Sequence, residues 1–401
     1  MAESSDNGCL RTRYVGNLGI GLDMFHRPRA GKDIHAWFGD SPVLYFHAAR
    51  NAIFQAFSLL GLQPGDEILA PAYNCGSEID ALLKAGARIR FFQVNRAMEI
   101  DEADLLSRVS PATRAIYVTH YFGFPQRIAS LANFCQTKGL FLVEDCALSS
   151  FTEVDGSRIG LAGDVAIYNF PKCLPVPDGG ALVLNNLKLG SGARPGRKPE
   201  TSVILSRTLR LLGQSALRIL PATWMPLLRF KHPAASPIPR LGIRPEMPMS
   251  YYLDARQADR NMSVWTSRLM RGIDVSEVRR RRRRNFLRMC DSLSRQPGLQ
   301  SLYPQLPAGV CPLVFPVLVD NPRQVAGRLQ QASIPAIAWW SGYQQGCNEW
   351  DHFSDACYLK DHLLALPIHQ QLDVSAIDYI ARKLVGCLPK GPNHSAKRAS
   401  V

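Results

Sequence analysis

The sequence predicts an α/β protein with a mostly parallel sheet between helices, followed by a smaller α/β C-terminal domain. Three observations support this. From residue 48 to 184, short apolar strand-like runs alternate with segments of helical period. Glycines close the helical segments, as in SEIDALLKAGA and RIASLANFCQTKG. Beyond about residue 250 the alternation gives way to long helical stretches around one strand candidate.

In chain order, ARNAIFQAFSLLGL has apolar residues at helical spacing, and QPGDEILAPAY turns at Pro-Gly-Asp before a short strand. SEIDALLKAGA predicts a helix ending near Gly86, and RIRFFQV a strand. TRAIYVTHYF reads as a strand, RIASLANFCQTKG as a helix, and LFLVEDCA as a buried strand with acids at its carboxyl end. DVAIYNF and GGALVLN complete the set. Strands this apolar belong in a sheet covered on both faces, which binds ligands at the strands' carboxyl ends. Residues 264–296 read as a long helical stretch, PLVFPVLV as a strand, and NPRQVAGRLQQASI and DVSAIDYIARKLVGCL as helices. The expected division is a large domain over 1–250 with its core at 48–184, a smaller domain over 251–388, and a disordered tail over 389–401.

The 401 residues are 46% apolar, enough for a large core. No apolar run reaches 18 residues and the first residues lack a secretory pattern, so a cytoplasmic protein is expected. The ten cysteines are scattered without a CxxC pair, as reduced thiols are, and no His/Cys cluster has metal-ligand spacing. No metal site is expected.

The net charge of +14 is unevenly spread. Arg279–Arg284 form an unbroken run whose expected place is a solvated helix, since no interleaved aromatics point to nucleic acid. Residues 201–245 contain no Asp or Glu but hold seven Arg and Lys among Leu, Ile, Pro and Trp. The favoured reading is a lid or interface segment, with peripheral contact to an anionic membrane and a plain surface insertion as the alternatives.

Lys172, in YNFPKCLPVPDGG, has no charged neighbour closer in sequence than Asp164 and Asp178. An ammonium in a proline-stiffened apolar loop needs a buried partner or a covalent role. Asp145 closes the apolar strand LFLVED, and Ala49, Arg50 and Asn51 open the first helix with free N–H groups and a guanidinium. A lysine for a Schiff base, a carboxylate for a pyridinium nitrogen and a helix N-terminus for a phosphate are what pyridoxal phosphate requires.

At these residues the sequence resembles the DegT/DnrJ/StrS family, sugar aminotransferases of fold type I that use pyridoxal phosphate. QPGDEILAPAYNC, GARIRFFQVN, THYFGFP, VEDCALS and the spacing of Lys172 to the Gly-Gly pair carry the likeness, together with LLALPIHQQLDVSAIDYI. The resemblance implies that Lys172 forms the covalent link to the cofactor and moves protons, and that Asp145 pairs with the ring nitrogen. It places Arg50, Asn51 and Asn169 around the phosphate. His120 either lines the cofactor pocket or is a satisfied core histidine. Cys75 falls where many members have the aromatic that stacks on the cofactor, which leaves either Tyr73 as the substitute or no stacking residue. Leu148 and Asp259 also depart from the pattern, at a polar cofactor contact and at a phosphate ligand given to a partner subunit. The implied activity is transfer of an amino group from an amino acid, such as glutamate, to a keto-sugar by a homodimer with shared sites. The alternatives are a sugar dehydratase, against which Lys172 argues, and a non-catalytic basic scaffold, against which Lys172 and Asp145 together argue.

Overall fold

The computed structural model describes residues 15–21, 34–189, 196–219, 245–294, 296, 299–347 and 349–388. The expected tail over 389–401 and most of the acid-free segment beyond residue 219 lie outside them.

The larger sheet has seven strands: β1 (Val43–Phe46), β2 (Glu67–Pro71), β3 (Arg88–Phe92), β4 (Thr113–Thr119), β5 (Phe141–Asp145), β8 (Val165–Asn169) and β9 (Gly180–Leu184). Between β5 and β8 lies a small hairpin, β6 (Glu153–Val154) and β7 (Ser157–Arg158). The strand order is β1-β9-β8-β5-β4-β2-β3. The run from β8 to β3 is parallel, whereas β9 is antiparallel to both β8 and β1. Every residue of β2 and β9 is buried, which explains runs too apolar to show alternation.

The connecting helices are α1 (Ile34–Phe38), α2 (Ala49–Leu59), α3 (Ser77–Ala85), α4 (Glu102–Ser107), α5 (Ala129–Lys138), α6 (Phe170–Cys173) and α7 (Thr201–Ile219). The glycine stops are as expected: Gly86 ends α3 and Gly139 ends α5, both left-handed.

Beyond residue 250 the stretch expected as one long helix is broken. α8 (Val264–Met270) stops before Gly272, and α9 (Val275–Leu293) restarts where the Asp274 carboxylate accepts the Glu277 N–H. A second, antiparallel sheet has the order β10-β11-β13-β12, from Gln300–Ser301, Val314–Leu318, Leu363–Pro367 and Ile337–Ala338. It packs with α10 (Pro322–Gln331) and α11 (Ser354–His362), and α12 (Val374–Cys387) lies against α9 and α10. The apolar core runs continuously through both sheets.

The arginine run is not a uniformly solvated face. Arg280 and Arg281 pair with Glu277, Arg279 pairs with Glu153, and Arg283 donates to the carbonyls of Pro307 and Val310. Arg282 is only 1% exposed. A helix that carries six arginines in succession must turn some inward, and the carbonyls of Cys173, Pro312 and Leu313, outside the helix, receive Arg282.

Loop residue His369, after β13, has an acid-sensitive position. Its Nε2 donates to the Gly16 carbonyl at 3.1 Å, while Nδ1 is buried without a partner. Burial, and then the Arg218 charge, push its pKa down to about 3. Below the unfolded value of about 6.5, the unfolded chain takes up a proton that the native chain refuses. The stability this provides is therefore present above pH 6.5 and is lost as pH falls towards 3. Between pH 7 and pH 5 the wild type is expected to lose about 2 kcal/mol more than His369→Gln, which keeps the donor but does not titrate. Denaturant melts at the two pH values check this, and equal losses would contradict it.

Candidate active site

β5 and β8 are adjacent and parallel, with Asp145 opposite Ile167. Asp145 is the last residue of β5, and α6 starts directly after β8, so the sheet delivers Asp145 and Lys172 to the same edge. This is where a parallel sheet presents ligand-binding groups.

Asp145 is buried, and each carboxylate oxygen accepts one bond: Oδ1 from the Ala147 N–H at 2.8 Å and Oδ2 from the Tyr117 hydroxyl at 2.8 Å. Burial, and then the nearby Glu78 carboxylate, raise its pKa, while Lys172 and the two donors pull the other way. A carboxylate held in this balance is preorganised to face a cation. Lys172 is half-buried, with Nζ 5.9 Å from the centre of the Trp340 ring. Its charge also acts on the Cys75 thiol.

The Gly-Gly pair has a steric explanation. A Cβ at Gly180 would lie 2.4 Å from the Ala49 nitrogen, so only glycine lets β9 run against the N-terminus of α2. Gly179 has φ +126, a conformation side chains disfavour. Ala48 is extended and gives α2 no side-chain cap. The first turn of α2, opening at buried Ala49, thus has N–H groups suited to an anion. Arg50 stands beside them, its guanidinium donating to the Ser250 carbonyl. Burial, and then Arg207 of α7, lower the Arg50 pKa. α7 therefore carries one arginine of the acid-free segment inward, where Arg207 bonds to the Pro177 carbonyl at 3.2 Å and contacts the His47 Nε2 at 3.3 Å.

Other expected site residues are engaged elsewhere. The Asn51 amide donates to the Gln257 carbonyl at 2.7 Å, which directs its N–H away from any phosphate. Tyr73 is completely buried, its hydroxyl on the Trp339 carbonyl and its ring against Tyr121 and Trp340, which leaves no face for a cofactor. His120 follows its core-histidine alternative. Nδ1 accepts the Gln126 N–H at 2.9 Å, so Nε2 carries the proton and donates to Glu144 at 3.0 Å. That pairing also argues against a metal at the buried His120, Glu144 and Cys146 group, because His120 has no lone pair left to offer. The Cys75 thiol donates to Glu78 at 2.6 Å and is pushed well above its usual pKa by burial and by that carboxylate. Asn169 precedes α6 without capping it. Asp259 pairs with Arg197 of its own chain at 2.8 Å.

Several residues at the site escape the sequence reading. Glu78 is buried and accepts both the Cys75 N–H and thiol. Trp340 has φ +51, a strained backbone for a bulky residue of the kind that collects at functional sites. Lys360 is buried and donates to the carbonyls of Asn74 at 2.8 Å, Trp340 at 3.1 Å and Gly342 at 2.9 Å. Burial lowers its pKa to about 8. It ties the loop before Cys75 to the loop that covers Lys172.

Over 163 residues the chain is 31% identical to a dTDP-4-dehydro-2,3,6-trideoxy-D-glucose 4-aminotransferase of Saccharopolyspora spinosa, covering 40% of this chain and 42% of the relative. It is 26% identical to a GDP-perosamine synthase of Vibrio cholerae over 216 residues, 53% of each. The chain thus spans about half the length of the curated relatives it matches. Among solved structures, the Escherichia coli GDP-4-keto-6-deoxy-D-mannose-3-dehydratase with bound hydrated pyridoxal phosphate superposes with a TM-score of 0.62. That match has 17% identity over 91% of this chain and 92% of the other, so it speaks to the fold. The match to a family model brackets the Lys172 and Asp145 edge: residues 31–211 are similar to the DegT/DnrJ/EryC1/StrS aminotransferase family.

Proposed function

We propose that the protein is a pyridoxal-phosphate-dependent aminotransferase that moves an amino group from an amino acid to a keto-sugar. The observation that carries this reading is the convergence of Lys172 and Asp145 at the carboxyl ends of neighbouring parallel strands. The residues present fit the cofactor: a buried carboxylate with both oxygens supported, an amine on the adjacent strand end and an uncapped helix N-terminus beside Arg50. When bound, pyridoxal phosphate supplies an aldehyde that captures amines and a ring that withdraws electrons.

The chain's own groups would then act as follows. Asp145 holds a negative charge against the protonated ring nitrogen, with Tyr117 and the Ala147 N–H fixing its orientation. Lys172 would hold the cofactor through its amine and would carry protons from its place on α6. The first turn of α2 and Arg50 receive the phosphate. Trp340 shields the amine from water on one side. A homodimer in the cytoplasm, with residues 1–250 and 251–388 as its two domains, completes the reading. A dehydratase is disfavoured by the presence of Lys172.

The test is the visible absorption of the purified protein titrated with pyridoxal phosphate, followed by borohydride reduction and peptide mass analysis. A band that borohydride removes, with the added mass on the peptide containing Lys172, is expected. Amino transfer from glutamate to nucleotide-linked keto-sugars should accompany it. No band at saturating cofactor would refute the enzyme reading.

A further inference from the structure

α6 has only four residues, Phe170–Cys173, and an isolated turn of this length does not hold its own shape. Its backbone sets where the Lys172 amine stands. Phe170 donates to the Gly179 carbonyl at 3.0 Å, and the Leu174 N–H returns to Phe170 at 2.8 Å. The carbonyl immediately after Lys172, that of Cys173, has a different kind of support. It accepts the Arg282 Nη2 at 3.1 Å and the Gln370 Nε2 at 2.9 Å. The Arg282 Nε also donates to the Gln370 Oε1 at 2.9 Å, which closes a three-membered polar ring. The remaining nitrogen, Nη1, reaches the carbonyls of Leu313 at 2.8 Å and Pro312 at 3.3 Å.

This arrangement is costly for a core. Arg282 is 1% exposed and Gln370 9%, and all the acceptors around the guanidinium are neutral. A buried cation without a carboxylate carries a desolvation penalty, which hydrogen bonds offset only when the geometry is held by every partner. Asn285 on the same helix shows a cheaper way to fasten α9 to the loop after β13. Its neutral amide reaches the carbonyls of Ile368, His369 and Leu372 without touching α6. What the arginine adds is a link from α9, and through Gln370 from that loop, to the residue following Lys172.

We propose that Arg282 and Gln370 are positioning residues for Lys172, clamping α6 through the Cys173 carbonyl so that the amine meets the cofactor at one fixed place. This rests on the role given to Lys172 above. Through the clamp the second sheet holds the reactive lysine of the first, and one member of the arginine run has a task at the site.

Gln370→Glu separates positioning from stability. The carboxylate still accepts from Arg282, now as an ion pair, but offers no N–H to Cys173. Arg282→Lys keeps the charge and loses the fork. Asn285→Ala is the control for a staple that only stabilises. Two readouts are taken at a temperature where all the proteins are folded. The first is the rate at which the visible band forms on adding pyridoxal phosphate. The second is the rate at which trinitrobenzenesulfonate labels Lys172 in cofactor-free protein, read by peptide mass.

Gln370→Glu and Arg282→Lys are expected to slow band formation about 10-fold and to change Lys172 labelling several-fold, the former without loss of melting temperature. Asn285→Ala should lower the melting temperature and leave both rates within about 2-fold of wild type. Wild-type rates in Gln370→Glu would overturn the clamp. So would equal slowing in Asn285→Ala, which would make the effect general loosening. If the wild type itself forms no band, the aminotransferase reading fails, and the labelling rates still decide whether the clamp sets the reactivity of Lys172.

Discussion

Lys172→Ala is expected to lower the rate of amino transfer by about 10⁴-fold or more, the scale of a lost proton carrier that is also a lost nucleophile. The residue stands on α6, just after β8, half-buried, with its amine 5.9 Å from the centre of the Trp340 ring and within electrostatic reach of Asp145 and Cys75. No described neighbour replaces it. Lys360 also acts electrostatically with Cys75 and Glu78, but its ammonium is committed to three carbonyls. The variant should fold as wild type, because among the described residues Lys172 makes no side-chain hydrogen bond that its removal would strand. Single-turnover kinetics with glutamate check the loss, and partial recovery with a small primary amine should follow if the missing function is proton transfer. Activity within 10-fold of wild type would remove Lys172 from the mechanism.

Asp145→Asn is expected to reduce the rate about 10³-fold while leaving the protein as stable as before or slightly more stable. Both effects have one cause. Burial and Glu78 raise the Asp145 pKa, so keeping it ionised costs native stability. The native state holds its proton at pH values where the unfolded chain has already released it. The stability cost therefore builds up as pH rises from the unfolded value of about 3.9 through the higher folded one, and persists above it. Asparagine removes that cost and keeps the hydrogen bonds, since its oxygen accepts the Ala147 N–H and its amide can donate to the Tyr117 oxygen. What it cannot supply is the negative charge that the proposed cofactor's ring nitrogen would require. Thermal melts and kinetics on the same preparation check the pair of outcomes. A strongly destabilised variant, or a rate near wild type, would mean that Asp145 serves the fold and not the chemistry. Sites that sacrifice stability for function behave in the first way.

Tyr117 and Glu78 sharpen the same point. One supports the Asp145 charge and the other opposes it, and neither position is marked in the sequence. Tyr117 reads as one more apolar residue in TRAIYVT, and Glu78 as an ordinary acid in the first turn of α3. Their importance comes from strand pairing and helix placement that bring distant residues against one carboxylate.

The sequence alone determined the alternation of strands and helices, the glycine stops at Gly86 and Gly139, and the lysine and aspartate at two strand ends. These are local properties: periodicity, left-handed caps and a lone charge in an apolar loop are each written in a few consecutive residues. The tertiary structure alone decided which aromatic faces Lys172, placing Trp340 there and burying Tyr73 behind it. It turned Asn51 to a backbone carbonyl, paired His120 with Glu144, and drew Arg282 out of a run that reads as solvent-facing. Each of the last three outcomes depends on a partner 24 to 206 positions away. A side chain's nearest polar neighbour is settled by how sheets and helices pack, and no stretch of consecutive residues encodes it.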